Sequence, residues 1–396
     1  MKPAAAFAVL ALCLPSAAAA DELDTVAGEA LFERAWVAAP ASTDAADGLG
    51  PMFNGKACTS CHKEARAARF FELDGRLVTR GLVVRLATPA GTPHPVLGQQ
   101  LQDRAVPGLM PEGEIFARLD RGRLMVEIKT MLAASDDPLV FEPRVAPSLR
   151  GRGLLERVDG QAILALADPD DADGNGISGR ARLIADAEGK THVGRFGAKA
   201  TTATLEEQTA DAAAIDLGLS SPWRPLPHGD CTAAETDCLR MATGQSENLD
   251  GEEMSAEIVT LIAAYVRSLK PPKYAPDAEA ERLFYASGCT GCHQPTLPDA
   301  KGNLLRVHTD LLLHDLGPQG AGRTRDDFAL PSEWRTAPLI DLDPMGGKRR
   351  YLHGGEAATI DEAIRLHGGE GAAARDMYLG LTAAEREKLL AWLAKL

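Results

Sequence analysis

Two widely separated motifs of the chain share one pattern, in which two cysteines are followed directly by a histidine. The motifs are NGKACTSCHK, with Cys58, Cys61 and His62, and ASGCTGCHQP, with Cys289, Cys292 and His293. Two thiols at this spacing can add to the vinyl groups of haem, and the adjacent imidazole can bind the iron. A zinc site or a redox-active disulfide needs no histidine behind each cysteine pair. The sequence therefore predicts two covalently bound haem c groups, with His62 and His293 as iron ligands.

The first twenty residues, MKPAAAFAVLALCLPSAAAA, have the composition of a secretory signal peptide. A lysine precedes an apolar run and small residues stand before Asp21, so we expect cleavage after Ala20. No later segment offers 18 consecutive apolar residues, which predicts no stable membrane insertion. The expected location is the periplasm, because haem is attached to such motifs outside the cytoplasm in c-type cytochromes. Cys231 and Cys238 lie close together in a loop-like segment, and we expect them to form a local disulfide.

The charge of the chain limits its partners. The formal net charge is −14 at pH 7, and aromatic residues make up only 5% of the sequence. Such an acidic chain argues against nucleic-acid binding and suits a basic or neutral partner. We expect this partner to be a small redox protein or a small-molecule electron donor or acceptor, and the oligomeric state stays open.

Two amphipathic helices are predicted to close the units that carry the motifs. The first lies in DGEEMSAEIVTLIAAYVRSL (250–269), and its apolar residues recur at helical spacing. The second lies in LTAAEREKLLAWLAKL (381–396), where Thr382 has the type and position of an N-cap residue. Both resemble the closing helix of class I cytochrome c domains. KPPKYAP (270–276), rich in proline and lysine, is typical of a linker.

These elements predict a mainly α protein made of two class I cytochrome c-like haem domains. After the signal peptide (1–20), the N-terminal haem domain is expected to span 24–270 and the C-terminal haem domain 276–396. The first domain is oversized for this fold, so we expect it to be enlarged by loop and β-rich insertions. The segment GRLVTRGLVVRLA (75–87) is one such β-like run.

Several longer blocks of the sequence resemble the di-haem oxidoreductase family, also called thiol oxidoreductases. These blocks are HPVLGQQLQDRAVPGLMPEG, ADPDDADGNGISGR, RFGAKATTATLEEQTA and TDLLLHDLGP. The segments WRTAPL and YLHGGEAATIDEAIRLHGG are similar to blocks of bacterial di-haem cytochrome c peroxidases and methylamine-utilisation-type di-haem enzymes. The resemblance covers nearly the whole mature chain and implies redox chemistry at haem without naming a substrate.

The resemblance assigns two residues to the N-terminal haem, which is the haem that meets substrate in the similar enzymes. The segment FGAKATTATLEEQTADAAAIDLG is similar to the block that lines the distal pocket there, and the match makes Gln208 and Asp216 the catalytic residues. A carboxylate over the iron can move a proton between the oxygens of peroxide. The aromatic residue often found between the haems is absent, because Gly197 and Ala198 stand at its place. This departure weakens the case for rapid electron hopping and for peroxidase activity.

The resemblance also implies a sixth ligand for the C-terminal haem. His367 stands fourteen residues after His353, where the similar peroxidases place a distal iron ligand. Helical spacing puts His367 on the apolar face of its predicted helix, so its side chain is expected to point inward. Met345 and Met377 are the alternatives. For the N-terminal haem, His94 is either a ligand or an ordinary loop histidine.

One acidic loop resembles the first half of a calcium-binding EF-hand. In DADGNG (171–176), the side chains of Asp171, Asp173 and Asn175 alternate, and a glycine occupies the sixth position. Arg182 stands where an EF-hand has its bidentate glutamate. A Ca²⁺ site closed by other oxygens and a plain acidic turn both stay open.

Two functions follow as expectations. The first is an exported di-haem c-type oxidoreductase with peroxidase-like chemistry at the N-terminal haem and electron transfer through the C-terminal haem. The alternative is a di-haem c-type electron-transfer cytochrome without its own substrate site. An exogenous iron ligand should perturb one haem in the first case and neither in the second.

Overall fold

The computed structural model describes residues 17–43, 46–73, 76–132, 139–186, 188–320, 322, 324 and 328–396. The helices are α1 (Ala17–Glu33), α2 (Arg152–Arg157), α3 (Gly160–Leu164), α4 (Leu205–Ala212), α5 (Ala256–Ser268), α6 (Ala278–Ala286), α7 (Gly317–Gly320), α8 (Ile360–Arg365), α9 (Ala372–Gly380) and α10 (Ala383–Leu393). The strands are β1 (Val37–Ala38), β2 (Asp47–Leu49), β3 (Met52–Phe53), β4 (Arg69–Leu73), β5 (Arg76–Arg80), β6 (Leu82–Ala87), β7 (Arg104–Ala105), β8 (Gly113–Asp120), β9 (Arg123–Thr130), β10 (Val140–Val145), β11 (Leu183–Ala185), β12 (Thr191–Val193), β13 (Thr296–Pro298), β14 (Leu304–Arg306), β15 (Leu313–Asp315) and β16 (Glu333–Arg335).

The prediction of a mainly α protein is wrong. The structure is 30% helix and 22% strand, and the described strands pair two by two into small sheets spread along the chain. The β-like run at 75–87 is confirmed as β5 and β6, but strand pairs also occur after the second motif, in β13–β14 and β15–β16. These later strands are only three residues long. Runs that short carry too little alternation to be recognised in a sequence.

The hairpin of β8 and β9 lies in the region where β-rich insertions were expected. Its strands pair in register from Gly113 opposite Thr130 to Asp120 opposite Arg123. Arg121 and Gly122 form the two-residue turn, with φ of 49° and 83°. Two positive φ values are typical of a type I′ turn, whose twist matches that of the flanking strands. Exposure alternates residue by residue along β9, as expected for a strand with one face covered.

The N-terminal part of the core forms around α1 and α5. Ser255 caps α5 by accepting a hydrogen bond from the Ile258 amide, so the helix predicted at 250–269 is confirmed but begins later. Gly28 lies against the Leu261 carbonyl, where any Cβ would clash, and this lets the two helices pack closely. The rings of Phe32 and Tyr265 add an aromatic contact with centroids 5.2 Å apart.

The C-terminal part of the core forms between α6 and α10. Thr382 accepts a hydrogen bond from the Glu385 amide and completes a capping box, which confirms the predicted N-cap. Phe284 on α6 and Trp392 on α10 are buried, and their ring centroids lie 5.5 Å apart. This pair fixes the helix that precedes the second cysteine motif against the last helix of the chain.

The predicted domain boundaries stay predictions. Some residues that follow the second motif pack into the core around α1 and α5. Residues 297–312 follow the second motif, yet Leu297, Leu311 and Leu312 belong to the hydrophobic cluster built on α1 and α5. The predicted signal peptide lies mostly outside the described residues. In the part of the chain that is described, no helix has the length and apolar character to cross a membrane. The disulfide between Cys231 and Cys238 is confirmed.

Candidate haem-binding cavity

Both cysteine motifs open onto one large internal cavity. Its volume is about 1330 Å³, which exceeds the roughly 300–1,000 Å³ of a typical small-molecule pocket. The cavity is lined by every cysteine and histidine of the two motifs, namely Cys58, Cys61, His62, Cys289, Cys292 and His293. Much of the remaining lining is apolar side chain, as expected for a site that encloses a large flat ring. The size and the donor set therefore fit the predicted haem groups.

The first motif folds as a short 3-10 turn that turns all three functional side chains toward the cavity. Residues Cys58–Ser60 form the turn, and the His62 amide donates to the Cys58 carbonyl at 2.9 Å. Burial lowers the pKa of His62 to about 4, so the imidazole is neutral at physiological pH. Its Nδ1 is buried without a hydrogen-bond partner among the described residues. A buried neutral imidazole in this position can act as an iron ligand.

The second motif positions its histidine through a backbone hydrogen bond. Residues Cys289–Gly291 form the same kind of turn. Nδ1 of His293 lies 3.1 Å from the carbonyl oxygen of His308. A proton on Nδ1 satisfies this contact and leaves the Nε2 lone pair for a metal. Metal-binding histidines are commonly oriented in this way, and burial lowers the pKa of His293 to about 4.

His367 lies in the same cavity as His293 and has a similar hydrogen-bonding arrangement. It follows the end of α8, and its Nδ1 lies 2.7 Å from the carbonyl oxygen of Ala363. Burial lowers the pKa of His367, and again Nε2 is left for a ligand. The alternative Met377 also lines the cavity but is 46% exposed, and Met345 does not line it. Among these predicted ligands, His367 has the best-defined donor atom.

Asp216 lies on the wall of the cavity near the first motif. It belongs to a π-helical turn, Ala213–Leu217, that continues α4, and such turns frequently occur at functional sites. Gln100 donates from Nε2 to Oδ1 of Asp216 at 2.7 Å and to Oδ1 of Asn54 at 2.7 Å. Burial raises the pKa of Asp216, and the Gln100 hydrogen bond opposes the rise. A buried carboxyl group with a raised pKa is a candidate for proton transfer.

Gln208, the other predicted catalytic residue, also lines the cavity but belongs to a different hydrogen-bonded group. Its Oε1 accepts from the Thr202 hydroxyl at 3.1 Å, whereas Asp216 is bonded to Gln100. The structure thus brings Gln208 and Asp216 to one cavity without a direct hydrogen bond between them. Gln100, which the sequence prediction did not consider, lines the cavity and hydrogen-bonds to Asp216, and it lies within the block GQQLQD of the family resemblance. Its Oε1 is buried without a partner in the described structure.

Besides His62, His293 and His367, the described cavity lining includes His314 and His353. His94 is buried, and its Nδ1 accepts from the amides of Val96 and Leu97 at 3.2 and 3.1 Å. It is not among the residues that line the cavity, which favours the interpretation of His94 as a loop histidine. Met254, which the sequence prediction did not consider, lines the cavity and is 1% exposed.

A tryptophan lies in the cavity although the aromatic residue expected from the family block is absent. Trp334 on β16 stacks on His353 with ring centroids 4.6 Å apart and an interplanar angle of 13°. Its neighbour Arg335 donates from Nε to the Gly197 carbonyl at 2.9 Å. Trp334 therefore lies close to the segment in which the family block has its aromatic residue. This placement arises from a contact across 138 positions, and no local pattern in the sequence indicates it.

His314 also lies near the second motif. The sequence analysis assigned no role to it. Its Nε2 lies 2.8 Å from Oδ2 of Asp310, and its Nδ1 lies 2.6 Å from Oε2 of Glu370. Burial opposes protonation, but the hydrogen bonds with Asp310, Cys292 and Glu370 raise the pKa of His314 to about 12. The imidazolium is therefore a fixed charge beside Cys292, held between two carboxylates.

The acidic loop is closed mainly by its own backbone. Oδ1 of Asp171 accepts from the Gly176 amide at 3.0 Å, and Oδ1 of Asp173 accepts from the Asn175 amide at 3.0 Å. Carboxylate oxygens of Asp168, Asp171 and Asp173 lie within 4.8 Å of one another. Asp168 is thus a third carboxylate beside the two predicted aspartates. The binding of Ca²⁺ stays a prediction.

Comparison with known proteins gives one informative similarity. A family model described as "Di-haem oxidoreductase, putative peroxidase" matches residues 126–396, more than half of the chain. No curated protein matches the sequence significantly. A solved structure of a "MauG-like protein associated with microbial copper homeostasis" is 17% identical over 62% of this chain and 87% of its own, with a TM-score of 0.31. Hydrazine synthase of Kuenenia stuttgartiensis is 18% identical over 37% of this chain and 57% of its own, with a TM-score of 0.25. The two structural similarities are too low to support a functional conclusion.

Proposed function

The chain belongs to the family of di-haem oxidoreductases, and we propose that it is an exported c-type member with peroxidase-like chemistry at its N-terminal haem. In this proposal the C-terminal haem transfers electrons and does not meet substrate. Haem iron supplies the redox chemistry when it is bound. The chain itself supplies the attachment thiols, the iron ligands and the proton-transfer groups.

The observation that carries the proposal is the asymmetry between the two ends of the cavity. At the second motif, two neutral imidazoles, His293 and His367, line one cavity, and each has its Nδ1 held by a backbone carbonyl. At the first motif, His62 shares the cavity with a hydrogen-bonded carboxyl, Asp216. Two imidazoles leave no open position on an iron, whereas one imidazole and a nearby acid leave room for a reactant.

Asp216 is the proposed proton-transfer group for a peroxide in the cavity. Its carboxylate can accept a proton from one peroxide oxygen and then return it to the other, and burial, which raises the pKa of Asp216, favours the protonated form that arises between the two transfers. Gln100 holds the carboxyl in place through its 2.7 Å hydrogen bond. The proposed role of Gln208 is to orient the same reactant, and its position in the cavity lining supports this role.

The alternative is an electron-transfer cytochrome with no substrate site. One observation favours it, because Met254 lines the cavity and its thioether could occupy the sixth position of the N-terminal haem. Added hydrogen peroxide separates the two functions. The proposed enzyme should show a spectral change at one haem and should oxidise an artificial electron donor catalytically, whereas the electron-transfer cytochrome should do neither.

The location and the partners complete the proposal. We propose that the signal peptide directs the chain to the periplasm, where a small redox protein or a small-molecule donor delivers electrons to the C-terminal haem. The net charge of −14 suits a basic or neutral partner. A Ca²⁺ ion in the loop around Asp171 is proposed as a structural addition that takes no part in the chemistry.

A further inference from the structure

Several arginines line the cavity and form no ion pair with an acidic side chain in the described part of the chain, among them Arg152, Arg335 and Arg349. We call Arg152, Arg335 and Arg349 the arginine cluster. All three face the cavity, and Arg335 is only 7% exposed. Within the described chain, none of the three guanidinium groups forms an ion pair with an acidic side chain. This is unusual, because buried charges are normally paired.

The hydrogen bonds of the cluster go to backbone carbonyls and leave donors unused. Nε of Arg152 donates to the Ser148 carbonyl at 2.8 Å. Arg335 donates to the carbonyls of Gly197 and Thr336, each at 2.9 Å. Neutral carbonyls satisfy part of the hydrogen-bonding capacity of these groups but leave their charge uncompensated.

The third arginine is the least satisfied. Arg349 donates from Nη1 to the backbone carbonyl of Asp341, and its Nε is buried without a partner in the described structure. The carboxylate of Asp341 is already engaged, because it accepts from the Ser148 hydroxyl at 2.6 Å and lies 3.7 Å from Nη1 of Arg150. The Asp341 carboxylate acts on Arg152 and Arg349 only at a distance, because no ion pair joins it to either guanidinium group in the described structure.

The three charges also act on one another and on the first motif. Burial, together with the charges of Arg335 and Arg349, lowers the pKa of Arg152 to about 9. The charge of Arg152 in turn contributes to the lowered pKa of His62. The cluster therefore concentrates positive charge near His62, the proposed ligand of the N-terminal haem. An anion bound there would compensate this charge.

We propose that the arginine cluster is the binding site for the propionate carboxylates of the haem groups held in the cavity. A guanidinium group presents parallel N–H donors that match the two oxygens of a carboxylate. Each haem carries two propionates, so the cavity would receive the negative charge that the cluster requires. Arg152, which acts electrostatically on His62, serves the N-terminal haem. The inference rests on the proposed haem content of the chain, but not on the proposed peroxide chemistry.

The test is the resonance Raman band of the propionate bending mode, which reports hydrogen bonding to the propionate. The holoprotein is compared with Arg152→Gln, Arg335→Gln and Arg349→Gln, after mass spectrometry has shown that both haems are attached. We expect the band to shift in these variants. We also expect the midpoint potential of one haem to fall by the equivalent of about a tenfold change in the ferrous-to-ferric ratio, about 59 mV for one electron, because removing a cation favours ferric iron.

A matched control is available in Arg267. This arginine is ion-paired with Glu156 at 2.5 Å and Glu206 at 2.8 Å and does not line the cavity. Arg267→Gln should leave the propionate band and both potentials unchanged. Where a glutamine variant does not load haem, the corresponding Arg→Lys variant keeps the charge and should retain the potential while altering the band.

Two results would overturn the inference. One is an unchanged propionate band in all the variants of the cluster that load haem. The other is a wild-type potential that added acetate shifts as much as the substitutions do, because the cluster would then bind a carboxylate from solution. Failure of peroxide to react, with shifted propionate bands, would contradict the proposed function and leave this inference intact.

Discussion

Replacing Asp216 with asparagine should abolish most of the catalytic activity and leave the fold intact. Asparagine keeps the size of the side chain and an oxygen that can accept a hydrogen bond from Nε2 of Gln100. In the wild type this hydrogen bond is 2.7 Å long. It removes the ability to exchange a proton. General acid–base catalysis contributes roughly 10²–10⁴-fold to a rate, which corresponds to about 3–5 kcal/mol of activation free energy. We expect a loss of kcat/KM in this range.

The free energy of unfolding should change by much less. A hydrogen bond to a charged acceptor contributes about 1.5–3 kcal/mol and a neutral one about 0.5–1.5 kcal/mol, so the Gln100 bond weakens by about 1 kcal/mol. Removal of a buried ionisable group offsets this loss. Because the folded state raises the pKa of Asp216, the wild type loses stability as pH rises from the unfolded pKa, about 3.9, through the folded pKa. The variant has no such group to titrate. Its free energy of unfolding should therefore increase relative to that of the wild type as pH rises over this range.

The assay is the oxidation of an artificial one-electron donor by hydrogen peroxide, measured alongside guanidinium unfolding. Asp211→Asn is the matched control, because Asp211 also lines the cavity but is ion-paired with Arg224 at 2.8 Å. The control should retain activity within a few-fold. Equal activity of wild type and Asp216→Asn, in proteins with the same haem content, would refute the proposed role of Asp216.

The remaining predictions concern the cofactors and the disulfide. Mass spectrometry of the denatured mature chain should show two covalent haems, and replacing Cys58 and Cys61 with alanine should remove one of them; a single haem in the wild type would be inconsistent with the two motifs. His367→Ala should convert one low-spin haem signal to high-spin, whereas His367→Met should keep it low-spin and raise its potential, because a thioether favours ferrous iron; unchanged electron paramagnetic resonance spectra in both would exclude His367 as a ligand. Replacing Cys231 and Cys238 with serine should lower the free energy of unfolding by about 2 kcal/mol without changing the haem spectra, as expected for opening a short loop; an unchanged unfolding midpoint would contradict a stabilising role.

Local patterns in the sequence were sufficient for the features that depend on neighbouring residues. The cysteine motifs need only a fixed spacing, and the N-cap at Thr382 depends on residues within one helical turn. The strands in 75–87 were recognised from their β-branched residues and alternation. His367 was reached through the family resemblance and helical spacing, and the structure places it just after the end of α8.

The features that sequence analysis missed depend on contacts between distant segments. Gln100 reaches Asn54 across 46 positions and Asp216 across 116, so no local pattern could reveal the network. Trp334 comes close to the Gly197 segment only through the contact of its neighbour Arg335, which spans 138 positions. The arginines of the cluster look like ordinary charged residues in the sequence, and only their shared position in the cavity lining distinguishes them. The three-residue strands after the second motif were missed for the reason already given. The fold class was wrong mainly because the strands before the second motif are longer and more numerous than a few insertions into a helical domain.

Cyanide binding to the oxidised holoprotein, followed by optical and electron paramagnetic resonance spectroscopy, tests the central claim most directly. The claim is that the N-terminal haem, ligated by His62, has an open position, whereas His293 and His367 close the C-terminal haem. The account predicts that one cyanide binds per chain and that the low-spin signal lost in His367→Ala is unaffected by cyanide in the wild type. Binding of no cyanide, or a cyanide-induced change in the signal that depends on His367, would contradict it.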